Sequence, residues 1–85
     1  MVRFTFVVKN EHGLQPKQAG ELVREAARCT GRVTLRKGEK TGDAKLIFNV
    51  LGLSIRQGEE VEITVRGEHE AEEAAELEAY VKEYI

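Results

Sequence analysis

Two segments of the chain carry the same signature, a two-residue alternation of apolar with mostly polar side chains. Val2, Phe4, Phe6 and Val8 alternate with Arg3, Thr5 and Val7, and Val61, Ile63 and Val65 alternate with Glu60, Glu62 and Thr64. A period of two places every apolar member on one face of a strand, so each segment needs a cover on one side and tolerates water on the other. With 85 residues there is room for one shared core and not for two. The cover must come from elements of the same small domain, which is expected to run over residues 1–85.

Two further alternations and three helical patterns fill the space between. Arg32 to Lys37 alternates with Val33 and Leu35 on one side, and Gly38-Glu39 separates it from a weaker polar strand around Lys40 to Gly42, which predicts a hairpin. After the polar turn Asn10-Glu11-His12-Gly13, Pro16 stands where a first helical position tolerates its missing N–H. Ala19, Leu22, Val23 and Ala26 then form one apolar stripe that stops near Cys29, Thr30 and Gly31. Leu46 to Leu53 is apolar on too many sides for a half-buried strand. It reads as a short helix, with Gly52 suited to the position just past its end. Glu68 to Ile85 is a long amphipathic helix whose apolar set is Ala71, Ala74, Leu77 and Val81, continued by Tyr84 and Ile85. The order β-α-β-β-α-β-α predicts an α+β fold, an open-faced two-layer sandwich with a four-stranded antiparallel sheet covered on one face by three helices.

Several kinds of chemistry are excluded or disfavoured. No apolar run approaches the ~20 residues of a bilayer span, and the N-terminus lacks the basic start and apolar stretch of a signal peptide, so a cytoplasmic location and no membrane association are expected. Cys29 is the only cysteine and suits a buried, small apolar role. Gly-rich nucleotide loops, Gly-x-Ser-x-Gly turns and His-Glu-x-x-His motifs are absent, and His12 and His69 are far apart in sequence. Neither a metal nor a cofactor is expected, and the chain is not expected to be an enzyme. The glutamates Glu70, Glu72, Glu73, Glu76 and Glu78 read as a solvated face. Net charge is −2, and Phe4 and Phe6 fall on the buried side, so no nucleic-acid surface is expected.

What remains is the segment Glu11-His12-Gly13-Leu14-Gln15-Pro16-Lys17-Gln18-Ala19. A helix start offers unpaired N–H groups and a partial positive charge, which suits an anion such as phosphate. With this loop and this order of elements, the chain resembles the HPr phosphocarrier family of the bacterial phosphoenolpyruvate-dependent sugar phosphotransferase system, over essentially its whole length. The family loop runs Gly, an aliphatic residue, the phosphoaccepting His, Ala, Arg, Pro, Ala, and this chain has Gly13, Leu14, Gln15, Pro16, Lys17, Gln18 and Ala19. The resemblance therefore puts Gln15 at the phosphoacceptor position, and an amide nitrogen with a delocalised lone pair is a poor nucleophile where imidazole is a good one. Lys17 keeps the charge of the family arginine without its planar fork.

Many Gram-positive members also carry a regulatory serine at the start of the middle helix, and the resemblance puts Leu46 there. Members of the Crh (catabolite repression HPr) type are similar in having glutamine for the active histidine, but they keep that serine. The resemblance further implies a partner-binding surface made of Ile47, Phe48 and Leu51 with Gln15, Lys17, Arg24 and Lys45, for enzyme I-like or transcription-regulator proteins. One helical face can bury only some of the apolar residues from Leu46 to Leu53, so Phe48 is expected near the surface. Three readings follow: a protein-binding regulatory module of carbon metabolism, a phosphocarrier using the displaced His12, and a self-associating domain, a homodimer through the edge strand Lys40 to Ala44. Phosphotransfer demands an in-line approach, which a nucleophile three positions away from residue 15 does not keep.

Overall fold

The computed structural model describes residues 1–85. Its elements follow the expected order: β1 (Val2–Val7), α1 (Pro16–Ala27), β2 (Arg32–Lys37), β3 (Lys40–Asp43), α2 (Ile47–Gly52), β4 (Glu60–Arg66) and α3 (Glu70–Tyr84). The strands lie in the order β1-β4-β2-β3, and every neighbouring pair is antiparallel. Thus α1 carries the chain from β1 over β4 to β2, and α2 returns it from the edge strand β3 to the centre.

The register explains why the alternation works as a fold instruction. Val33 faces Val65, which faces Val2, and Leu35 faces Ile63, which faces Phe4, so the apolar sets of three strands line up in rows across one face. Leu22 and Ala26 of α1, Val50 of α2, and Leu77 and Val81 of α3 complete a single cluster of 20 buried apolar residues on that face. No polar or charged residue is buried. Burying a leucine or valine side chain contributes about 1.5–3 kcal/mol, so this layer carries most of the stability of a domain with so little interior.

Three local expectations need correction. Ala71 and Tyr84 do not belong to the buried stripe of α3: both are exposed, and the stripe runs through Ala74, Leu77, Val81 and Ile85 instead. The buried residues of the helix begin at Ala74, in its second turn, which leaves its first turn outside the core. Gly52 is still helical, and the left-handed position beyond α2 is taken by Ser54, at φ 50°. The Ser54 carbonyl accepts a bond from the Lys37 ammonium at 3.0 Å, which helps hold that residue in a conformation serine rarely adopts. Finally, Glu73 is more than a solvated carboxylate. It accepts the Thr30 and Gly31 N–H groups at 2.6 and 3.2 Å and the Thr30 hydroxyl at 2.9 Å. These bonds, the Thr30 amide above all, hold its carboxyl below the usual range. The side chain pins α3 to the turn between α1 and β2.

Candidate functional site

The approach to α1 is fixed by backbone more than by side chains. Val8 and Gly58 are joined by the Gly58 N–H to the Val8 carbonyl, and the N–H groups of Lys9 and Asn10 both donate to the Ile85 carbonyl at 2.8 and 3.0 Å. The turn closes through the Gly13 N–H to the Asn10 carbonyl, while the His12 N–H donates to Asn10 Oδ1 at 3.1 Å. Gly13 is then in the left-handed region at φ +67°, and a Cβ there would lie 2.5 Å from the Ile55 carbonyl oxygen. That oxygen accepts the Leu14 N–H at 3.0 Å, and Leu14 is buried. Only glycine permits this close approach.

Gln15 is the residue before the first turn of α1, extended at φ −82° and ψ 172°, and its side chain makes no capping bond. Its carbonyl accepts the Ala19 N–H at 2.8 Å. Pro16 has no N–H, and the amides of Lys17 and Gln18 have no backbone acceptor, as expected of a first turn. Gln15, Pro16 and Lys17 are exposed, whereas Gln18 is half-buried with its Oε1 unpartnered. His12 is exposed in the turn and takes part only through its backbone.

The second part of the site is α2, which packs against both α1 and β3. Val50 points inward and is fully buried, and Ile47 and Leu51 are half-buried against the core. Phe48 is 83% exposed, and Leu46 beside it is 53% exposed. Sequence reasoning anticipated Phe48 but treated Leu46 only as a substituted position. Leu46 lies just outside the helix, in extended conformation, where the core stripe cannot reach it. Of the basic residues assigned to the rim, Lys17 and Arg24 are exposed. Lys45 is not free: its ammonium donates to the Cys29 carbonyl at 2.7 Å, just past the end of α1, where a cation complements the helix dipole. Cys29 itself is buried, and burial followed by the nearby Glu73 charge pushes its thiol up, so it stays protonated at neutral pH.

The arrangement thus provides an exposed polar helix start and, at the start of a neighbouring helix, an exposed apolar pair. Neither part brings a nucleophile next to a base, and His12 is the only histidine near the start of α1.

Comparison with known proteins agrees with this geometry. The family profile described as the PTS HPr component phosphorylation site matches residues 2–83. The HPr-like protein Crh of Bacillus subtilis is 38% identical over 85 residues, covering 100% of both chains. Among solved structures, the crystal structure of HPr-C-His from Thermoanaerobacter tengcongensis superposes with a TM-score of 0.91 at 27% identity, over 96% of this chain and 92% of that one. The crystal structure of Bacillus subtilis Crh, described as a dimer with a swapping domain, superposes at 0.77 with 38% identity, over 100% and 98% of the two chains. By sequence and by fold, this chain belongs to the HPr family.

Proposed function

We infer that this chain works as a protein-binding regulatory module of the phosphotransferase type, one that docks on partners without carrying a phosphoryl group at residue 15 or residue 46. The single observation that supports this reading is Phe48, 83% exposed beside the exposed Leu46 on a helix whose remaining apolar residues are occupied by the core. A large aromatic side chain held in water by a rigid helix loses little entropy on binding and gains a desolvated contact. Lys17 and Arg24, exposed on the adjoining helix, supply a charged rim that favours an acidic partner surface. Enzyme I-like proteins and transcription regulators are the partner classes this surface would suit.

The chemistry of the helix start supports the same reading. Gln15 and Leu46 both stand at helix starts, and neither an amide nor an alkyl side chain accepts a phosphoryl group. His12 offers an imidazole, but its backbone is committed to the Asn10 turn rather than to the first turn of α1.

Incubation with phosphoenolpyruvate and enzyme I, followed by intact mass, tests the absence of transfer. The native chain is expected to stay at its unmodified mass, and an adduct mapping to His12 would return it to the phosphocarriers. A self-associating role has one observation in its favour, the short polar edge strand β3, together with the dimeric form described for Crh. Solution mass across a concentration series separates that role from docking.

A further inference from the structure

The uncovered face of the sheet is polar apart from Val7, and its charges are unevenly placed. Directly opposite residues of an antiparallel pair project to the same side. At one end of this face Arg36 stands opposite Glu62, an opposite-charge pairing of the kind that stabilises a sheet. At the other end Arg32 stands directly opposite Arg66, and Arg3, opposite Thr64 on the next strand, is diagonal to Arg66. Like charges facing each other destabilise a strand pair; the Glu70 carboxylate near Arg66 offsets part of this, although the Met1 ammonium and the Gly67 N–H act on it more strongly. Arg3, Arg32 and Arg66 are all exposed, and none of them takes part in an ion pair.

Two carboxylates lie near these arginines: Asp43 stands directly opposite Thr34 and shares this face, and Glu70 lies near Arg66. Asp43 Oδ1 accepts the Lys45 N–H at 2.9 Å, and Glu70 takes the Gly67 N–H and the Met1 ammonium. Between the arginines, Thr34 and Thr64 face each other across β2 and β4. Arg32 and Thr34 also wall a polar hollow at the β3 edge, with Thr41, Asp43 and Asn49 on its far side and no apolar lining.

We propose that Arg3, Arg32 and Arg66 form a binding site for a small, multiply charged anion of the phosphate class, with the Thr34 and Thr64 hydroxyls as further donors. Guanidinium forks match phosphate oxygens two at a time. Adjacent strands are about 4.8 Å apart, so long side chains from three of them can reach one such group. A bound anion also removes the repulsion that the free protein bears. A long polyanion does not fit, because Glu60 and Glu62 occupy the other end of the same face. The site is on the side of the sheet away from the helices, so it stands independently of the docking surface on α1 and α2.

The test is a pyrophosphate titration of the full chain at constant ionic strength, followed by amide and arginine Nε–H resonances. Saturable shifts are expected at Arg3, Arg32, Arg66, Thr34 and Thr64. The Arg32→Gln/Arg66→Gln variant should bind at least about tenfold more weakly, the scale of losing charge-assisted bonds, while Lys17→Gln should bind as the native chain does. Thermal melts add a second readout: Arg66→Gln alone should melt higher than the native chain without ligand and gain less from pyrophosphate. Shifts that fail to saturate, shifts centred on the Lys17 and Gln18 amides, or undiminished binding by the double variant would overturn the site. Concentration-dependent dimerisation abolished by the double variant would assign the arginines to Glu60 and Glu62 of a second copy instead, and would equally overturn it.

Discussion

The starts of α1 and α2 make an instructive pair, because the same chain solves the same problem in two ways. Neither helix has a side-chain cap: Gln15 before α1 and Leu46 before α2 both leave the first turn without one. Serine, threonine, aspartate or asparagine would serve better at either place. The start of α1 is nevertheless rigid, held by Gly13, the buried Leu14 and the Ile55 carbonyl. The start of α2 is held by the Leu46 N–H on the Asp43 carbonyl and the Asn49 side chain on the Asp43 N–H, with Leu46 and Phe48 facing out. One start is fixed by what lies beneath it, and the other displays what lies above it. Neither Gln15 nor Leu46 therefore stabilises, as a side-chain cap, the helix it begins.

The strongest way to break this contrast is at Gly13. Gly13→Ala forces a Cβ into the left-handed region and to within 2.5 Å of the Ile55 carbonyl oxygen, so the loop must move. A loss of about 2–3 kcal/mol is expected in urea unfolding, the range for backbone strain combined with a clash. A loss below half a kilocalorie would mean that the approach to α1 is soft and that the contrast with α2 is false.

Leu46→Ser probes the other side. A hydroxyl at the residue before α2 can accept an unpaired N–H of the first turn, and the leucine it replaces is more than half exposed and outside the core cluster. The variant should gain roughly 0.5–1 kcal/mol. A destabilised variant would show that Leu46 contributes to the fold, and the reading of α2 as a displayed surface would weaken accordingly.

The difference between the two starts also marks what the sequence could and could not reveal. The alternation of Val2 to Val8 and of Val61 to Val65 fixes which face is buried, because a one-residue slip would invert every side chain. The observed rows, Val33 with Val65 and Val2, follow from it. The start of α1 was legible for a similar reason, since Gly13 and Pro16 carry backbone constraints that are local. What was not legible depends on distant atoms. Lys45 reads as a free rim charge until the Cys29 carbonyl is placed beneath it. Glu73 reads as one solvated glutamate among several until the turn at Thr30 comes within reach. Ala71 satisfies the helical period of α3 but is exposed, a matter of where the buried stripe begins, at Ala74, rather than of its pattern. The facing pair Arg32 and Arg66 is likewise invisible before the strand register is known.

The smallest expected change in stability is the most informative about function. Phe48 is 83% exposed, while its helix neighbours Ile47, Val50 and Leu51 pack against the core. Truncation to alanine therefore removes almost no buried area, and Phe48→Ala should unfold within about 0.5 kcal/mol of the native chain. Its effect on association should be far larger, because a central aromatic anchor of an interface typically costs 2 kcal/mol or more when removed, about thirtyfold in affinity. Affinity for enzyme I, measured by calorimetry on the native and variant chains, separates the alternatives: equal affinity would remove Phe48 from the docking surface. A loss of stability matching the loss of affinity would show instead that the aromatic ring supports α2, and that the exposed start of this helix is structural after all.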